Sequence, residues 1–527
     1  MGIFNFKKKE NFIKNKILRN PKKERADVVL VYPIWVKRGG RGKLQRMLPP
    51  LGILSIASYL EEHNFEVHII DLHAEEITPE QFKDILQRLK PKFVGITVLS
   101  AHFVPANYVA HLCKEIVPDC KVIAGGVHAE AAPEQMLRNP SIDAVARGDG
   151  EDTMLEFVSG KSYANILGLS YRNEMTVKHN PPRTLTKDLD DYPLPAYHLI
   201  DFDNYFPPVG SYRDLPAMNV LQTRGCPGTC TFCNSAKTVL RGRSVDKIIE
   251  LIKKLRYEYG IRQIYFYDDT FTASPQVVKE FCEKMIQEKV DVKWICYVRG
   301  DMFRETIAAL MNKAGCHQVL VGIESGSEHL MKQIGKPIKK EKYKTIVEIA
   351  HKYNIEVRAS FIIGHPEETH ETMEETLQFA KWLDVDFFQV NILTPYPGTQ
   401  LYNEAKEKGL ILHEEYERYG QNEVVMKLQN LSPEEVMKFE KYTFHRFFLN
   451  PTIIFRQLFR LRKLSQIFDL FKVLYVFLIE GFTTHKAKSK NLESWLNYDT
   501  ESNALKNIKI PEEPRLTYQV RQEIIFN

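Results

Sequence analysis

The sequence predicts an α/β protein with three parts: an N-terminal doubly wound, Rossmann-like domain, a partial (βα)6 barrel of the TIM type, and a C-terminal helical region. Three patterns carry this. Short β-rich runs alternate with amphipathic segments from Asp27 to about Gly160, six further strand-like runs are each separated by a helical stretch between residues 213 and 410, and beyond residue 410 the strand-like runs stop.

The first element is a basic tail, residues 1–25, in which nine Lys or Arg face only Glu10 and Glu24. With a net charge of +5 for the whole chain, the remainder is close to neutral. That argues against a broad nucleic-acid-binding face, so no nucleic-acid partner is expected. Residues 26–160 then run DVVLVYPI, a helix, EVHIID, a helix, KFVGITV, a helix and KVIAG, the βαβ rhythm of a parallel sheet. Such sheets bind ligands beyond the carboxyl ends of their strands, which here points to the loops after Ile34, Asp71, Val98 and Ala124. Residues 161–212 are dense in Pro, Asp and aromatics and read as a linker strapped across a surface. The runs AMNVLQT, IRQIYFY, VKWICYV, HQVLVGI, IEVRASFI and DFFQVNI give the barrel, residues 213–410, with its chemistry expected at the strand carboxyl ends. Residues 411–527 read as a helical region rich in aromatic and basic side chains.

Composition sets the compartment. With 44% hydrophobic and 26% charged residues the chain has the balance of a globular protein. No stretch reads as a secretory signal, and the apolar run Val473–Ile479 is far shorter than the roughly 20 residues that span a bilayer. A cytoplasmic protein is expected. The mixing of Phe4, Phe6, Phe12, Ile13, Ile17 and Leu18 with lysines, repeated near the C-terminus, is also the pattern of a basic amphipathic helix on an anionic surface. A solvated tail and a helical core is the plainer account. The alternative is peripheral association with the inner membrane surface.

Eight cysteines in so long a chain do not make a disulfide scaffold, yet three crowd into eight positions, Cys226-x3-Cys230-x2-Cys233, just after the first barrel strand. Iron–sulfur clusters ordinarily take four cysteines, so three leave one iron of a four-iron cluster open. A zinc site would normally add a second CxxC or Cys/His half, and none is evident nearby. Cys113, Cys120, Cys282, Cys296 and Cys316 show no ligand spacing and read as small buried apolar groups.

This motif, with Phe232 before its last cysteine, resembles the radical S-adenosylmethionine (SAM) superfamily, and the resemblance covers about residues 213–410. It implies that Cys226, Cys230 and Cys233 hold a [4Fe–4S] cluster, that SAM chelates the open iron, and that an electron breaks a sulfonium–carbon bond to give a 5′-deoxyadenosyl radical. An external electron donor of the flavodoxin or ferredoxin type is implied with it. Residues expected around SAM are Asp268 and Asp269 after the second strand, Glu324 and Ser325 after the fourth, and Arg358 and Ser360 in the fifth, the last pair for its carboxylate. Phe232 and Tyr396-Pro397 are expected to line the adenine. The alternative for each is an ordinary barrel-end contact.

The N-terminal domain is similar to the cobalamin-binding domain that precedes the barrel in one large radical SAM subgroup. Thr97-Val98-Leu99 ends the third strand and Gly125-Gly126 follows the fourth. A turn without side chains lets the corrin tail approach the backbone, and the hydroxyl can bond to its buried end. The loop after the first strand lacks the Asp-x-His-x-x-Gly element that supplies a lower axial histidine, so Tyr32, Trp35 or Leu48 could approach the lower face instead. His73 and His128 read as loop-packing histidines.

The expected function is a cobalamin-dependent radical SAM enzyme methylating an unactivated carbon of a small-molecule or lipid-like substrate. The alternative is oxidative cyclisation or rearrangement on the same architecture. A methylthiotransferase would need three more cluster cysteines in the N-terminal domain, where only Cys113 and Cys120 stand. A non-catalytic cobalamin sensor would need an output module, and none is apparent.

Overall fold

A computed structural model describes residues 25–35, 47–208, 210–448, 494–496 and 498–505. The basic tail, the run Val473–Ile479 and the aromatic-basic stretch 449–493 therefore lie outside the described residues, as does the surface association read from them. No described helix is long and apolar enough to cross a membrane.

The chain forms two compact units. The first along the chain holds a seven-stranded sheet: β1 Val28–Tyr32, β2 Val67–Asp71, β3 Phe93–Thr97, β4 Lys121–Gly125, β5 Ala144–Ala146, β6 Leu169–Asn173 and β7 Thr176–His179, in the order β2-β1-β3-β4-β5-β6-β7. The strands through β5 pair in parallel because a helix returns the chain between each pair. Helices on the sheet faces explain why Val28, Leu30, Val94, Val122 and Ile123 are buried without alternation. The helix Pro79–Leu89 shows how the local sequence sets an element. Thr78 accepts from the Gln81 N–H at 3.3 Å, Gln81 accepts from the Thr78 N–H at 2.9 Å, Pro79 opens the first turn, and Lys90 stops it at φ 44°.

Two boundaries differ from the expectation. Residues 161–212 are not all linker, because β6 and β7 form a hairpin that extends the sheet antiparallel from β5. Nor are residues 411–527 one region. Residues 494–505 belong to this first unit, where Trp495 is wholly buried and donates from Nε1 to the Ile77 carbonyl at 2.9 Å.

The second unit is a six-stranded parallel sheet, β8 Ala217–Val220, β11 Gln263–Phe266, β12 Lys293–Val298, β13 Cys316–Glu324, β14 Glu356–Ile363 and β15 Phe387–Ile392, each joined to the next by at least one helix. The short strands β9 Thr223–Arg224 and β10 Arg241–Gly242 close a loop between β8 and β11. The order β15-β14-β13-β12-β11-β8 is the chain order, which is the open (βα)6 barrel expected. One face of each strand packs under helices, as Phe266 and Trp294 do against Phe281 of the helix Pro275–Gln287. Leu48 belongs to this unit, clustered with Ala217, Tyr265 and Ile295. The helix Pro433–Phe448 packs on β15, with Val436 among Ile363, Met373 and Ile392.

Candidate functional site

Cys226, Cys230 and Cys233 sit on the loop that leaves β8 at its carboxyl end, all half-buried and none in a disulfide. The loop is folded onto itself. The Cys226 N–H donates to Thr238 Oγ1 at 2.8 Å, the Thr238 N–H returns to the Cys226 carbonyl at 3.0 Å, and the Lys237 N–H reaches the Gly228 carbonyl at 2.7 Å. Gly225 takes φ 100°, where a Cβ would collide with the Val239 carbonyl, so the first turn admits only glycine.

Neighbouring strand ends hold this loop from outside. The Thr231 N–H donates to the Ile334 carbonyl at 3.0 Å, Thr229 Oγ1 to the Gly335 carbonyl at 2.8 Å, and the Leu401 N–H to the Thr231 carbonyl at 2.9 Å. Thr270, beyond β11, brings its hydroxyl to 3.5 Å from Cys226 Sγ. Arg299, beyond β12, packs so closely on Gly228 that a Cβ there would strike its guanidinium. Burial pushes the Cys233 thiol up to about 11 and raises Cys230 as well, while Lys336 and Arg299 pull Cys230 back toward its thiolate. Cys226 also raises Cys230, and Cys226 and Cys230 both raise Cys233. Among the described residues no three His, Cys, Asp or Glu are grouped as ligands of a single ion.

The acidic candidates divide. Asp268 is wholly buried and accepts from the Gln222 N–H at 3.2 Å, the Thr223 N–H at 2.5 Å and the Thr223 hydroxyl at 2.6 Å, so it holds the turn that feeds the cysteine loop. Asp269 is exposed and raises the Cys233 thiol, which puts its charge on the cluster side. Glu324 takes φ 73° at a bulge ending β13 and pairs with Lys336 Nζ at 2.7 Å, both buried and both acting on Cys230. Lys336 also donates to the Gly322 carbonyl at 2.8 Å, so the pair is locked across the bulge.

Ser325 turns inward, accepting from the Ser327 N–H at 3.1 Å with Thr376 Oγ1 at 3.3 Å. Ser360 accepts from Asn391 Nδ2 at 3.3 Å on the inner face of the sheet. Arg358 is one inner-face step further from the strand end, its guanidinium 4.6 Å over the Phe387 ring that begins β15. Phe232 packs on Ile362, Leu393, Leu401 and Met426, and the Tyr396 hydroxyl donates to the Tyr419 carbonyl at 3.0 Å. Sequence reasoning missed Thr270, Arg299, Lys336 and Glu368. Glu368 is buried and accepts from the Gly364 and His365 N–H groups at 2.9 and 3.2 Å, fixing the loop after β14.

In the N-terminal unit the strand-end elements come together. The Val98 N–H donates to the Gly125 carbonyl at 2.7 Å, and Gly126 takes φ 90° with Thr97 Oγ1 3.0 Å from where a Cβ would stand. Leu99 presents its side chain to solvent beside this turn. His128 is buried with Nδ1 3.1 Å from Ser100 Oγ. Tyr32 meets the His102 ring edge-on at 4.9 Å, and burial lowers His102 to about 3. A cradle of bare backbone, one hydroxyl and an exposed leucine fits the flat ring and tail of a corrin.

The family model described as the radical SAM superfamily matches residues 220–380, and that described as the B12 binding domain matches residues 38–158. An uncharacterized methyltransferase, PH0819, of Pyrococcus horikoshii is 38% identical over 419 residues, 78% of this chain and 90% of that protein. The anaerobic magnesium-protoporphyrin IX monomethyl ester cyclase of Rubrivivax gelatinosus is 26% identical over 442 residues, 81% of this chain and 78% of that one. Among solved structures the fold is similar to TsrM, a radical SAM methyltransferase from Kitasatospora setae with cobalamin and a [4Fe–4S] cluster bound. The TM-score is 0.58 at 20% identity, covering 72% of this chain and 74% of that one. The chain belongs to the radical SAM superfamily, and within it to the cobalamin-dependent enzymes that carry an N-terminal B12-binding domain.

Proposed function

We propose that the chain methylates an unactivated carbon of a small-molecule substrate by cobalamin-dependent radical SAM chemistry. The observation that carries the reading is the interlocked loop presenting Cys226, Cys230 and Cys233 at the mouth of the barrel, pinned by Thr270, Ile334, Gly335 and Leu401. When bound, the cluster supplies the electron that cleaves SAM to a 5′-deoxyadenosyl radical, and cobalamin supplies the methyl group. The three thiolates hold the cluster. Asp269, Glu324, Ser360 and Phe232 are the side chains we assign to SAM. Asp268 and Ser325 hold their loops, while Lys336 and Arg299 offset the negative charge of the ligated sulfurs. In the N-terminal unit, Gly125, Gly126, Thr97 and Leu99 are assigned to cobalamin. The electron comes from an external flavodoxin- or ferredoxin-type donor. Because an uncontrolled radical reacts with water and protein alike, the hollow inner face of the barrel is the reaction chamber.

Likeness to the cyclase keeps oxidative cyclisation as a second reading. Anaerobic turnover with methyl-labelled SAM, reductant and candidate substrates separates the two. Methylation gives labelled product only with cobalamin present, and cyclisation gives product without label. Replacing any of the three cysteines by alanine is expected to abolish both cluster absorption and 5′-deoxyadenosine release; retained release would sink the reading.

A further inference from the structure

One guanidinium meets the cysteine loop from outside. Arg299 follows the last residue of β12 and reaches over Gly228, which lies between Cys226 and Cys230. A Cβ placed on Gly228 would stand 2.3 Å from Arg299 Nη1 and 3.2 Å from Cys226 Sγ. The missing side chain is therefore what lets the cation and the thiol approach the same point. Gly228 itself turns its N–H to Cys226 Sγ at 3.4 Å. The charge of Arg299 acts on Cys226 and Cys230 alike.

Two ion pairs stand beside this loop, and they differ in the charge they leave there. Lys336 and Glu324 are both buried and act on Cys230 with opposite signs, so their effects largely offset. Arg299 is held by Asp301, which accepts from its Nε at 2.8 Å, but the two partners sit in unlike surroundings. The arginine side chain is 14% exposed and the aspartate 40%. Water and salt screen the carboxylate more than the guanidinium, and the carboxylate engages the Nε edge while Nη1 lies against the loop. A net positive charge is left over Gly228, and an arginine keeps it at any working pH.

We propose that Arg299 sets the reduction potential of the cluster held by Cys226, Cys230 and Cys233, with Asp301 as the counter-charge that limits its pull. The assignment rests on the reading that these three thiolates ligate a four-iron cluster. One electron passes from the external donor to that assembly, so the donor is oxidised, the cluster is reduced, and no proton moves. The assembly becomes one unit more negative, and a fixed cation beside it favours the reduced form. Arg299 is thus a positioning residue that acts on electron uptake through the cluster.

The test uses the full chain, reconstituted anaerobically with iron and sulfide. The midpoint potential is read by electron paramagnetic resonance during stepwise reduction with dithionite and mediator dyes. Wild type, Arg299→Gln, Arg299→Lys and Asp301→Asn are compared at matched iron and sulfide content. At the potential that half-reduces the wild type, Arg299→Gln is expected to show about tenfold less reduced cluster relative to oxidised, a midpoint about 59 mV lower. Arg299→Lys should stay within about twofold of the wild type, because it restores the charge. Asp301→Asn should move the other way, with about threefold more reduced cluster. A loaded Arg299→Gln with the wild-type midpoint would overturn the proposal. Arg299→Lys falling as far as Arg299→Gln would overturn it too, since the shape of the arginine and not its charge would then matter. If Arg299→Gln takes up no cluster, Asp301→Asn decides, and an unmoved or lower midpoint there overturns the assignment. A wild type that takes up no cluster refutes the proposed function and this assignment with it, whereas a loaded cluster indifferent to both charges refutes this assignment alone.

Discussion

Asp268 shows what one carboxylate contributes at the mouth of the barrel. Three donors from Gln222 and Thr223 converge on it, and each favours the ionised form. Burial opposes them and is the largest influence, so the carboxyl rises from 3.8 to about 6. A folded-state value above the unfolded one means that the folded chain binds more protons between the two. The stabilisation is fully present below about pH 4 and is lost as pH rises through about 6. A shift of that size corresponds to about 3 kcal/mol, and Asp268→Asn removes the titration while keeping one acceptor. Urea unfolding of the iron-free proteins should show the wild type losing about 2 kcal/mol of stability relative to Asp268→Asn between about pH 4 and pH 6.5. A difference flat with pH would mean that the turn, not burial, sets the charge.

Elements at this site act by gripping one another. The stretch Ile334–Gly335, which follows the helix Glu328–Gln333, holds the cysteine loop through two hydrogen bonds, and Gly335 does so at φ 72°. A Cβ there would run into the Thr229 carbonyl, so Gly335→Ala meets both backbone strain and a collision with the ligand loop. The expected cost is about 1–2 kcal/mol or more, with the iron content of reconstituted protein reduced although every cysteine remains. Normal iron and sulfide content in Gly335→Ala would show that the loop holds its shape without this grip. Such contacts also explain what the sequence could reveal. The six barrel strands and the cysteine spacing were legible because each is a local pattern of β-rich runs or thiols. Lys336 and Arg299 were not, because they reach Cys230 only when the ends of β12 and β13 are brought beside the loop after β8. The β6–β7 hairpin was missed for a different reason. Its two-residue turn, Glu174-Met175, places Glu174 at φ 55° where Asn or Gly is the usual signal, and its strands are short. Arg358 stands on the fifth strand, where the sequence put it. Register across β13–β15, which sequence does not give, puts it one inner-face layer below Ser360.

At the scale of the whole molecule, sequence order and spatial order part company at residues 494–505. Trp495 is wholly buried in the N-terminal unit, 5.8 Å from the Phe82 ring and 5.6 Å from Tyr108, and it satisfies its indole N–H on the Ile77 carbonyl. Tyr498 stacks on Tyr108 at 5.4 Å, and the Leu505 N–H donates to the Arg138 carbonyl at 2.7 Å. The helices Pro79–Leu89 and Phe103–Ile116 are thus covered by a segment encoded far downstream, so the B12-binding unit is complete only after that segment has docked. Truncating a buried tryptophan to alanine costs about 3–5 kcal/mol through lost burial and the cavity left behind. Trp495→Ala should therefore speed amide exchange in the peptides covering residues 79–89 and 103–116 by about two orders of magnitude, while peptides from β11 to β14 exchange as in the wild type. Each unit has its own sheet and its own core, which is why the effect should stay on one side. Equal acceleration in both sets of peptides would mean that the two units unfold as one, and no acceleration in the first would mean that the docked segment contributes nothing to the stability of the unit it covers.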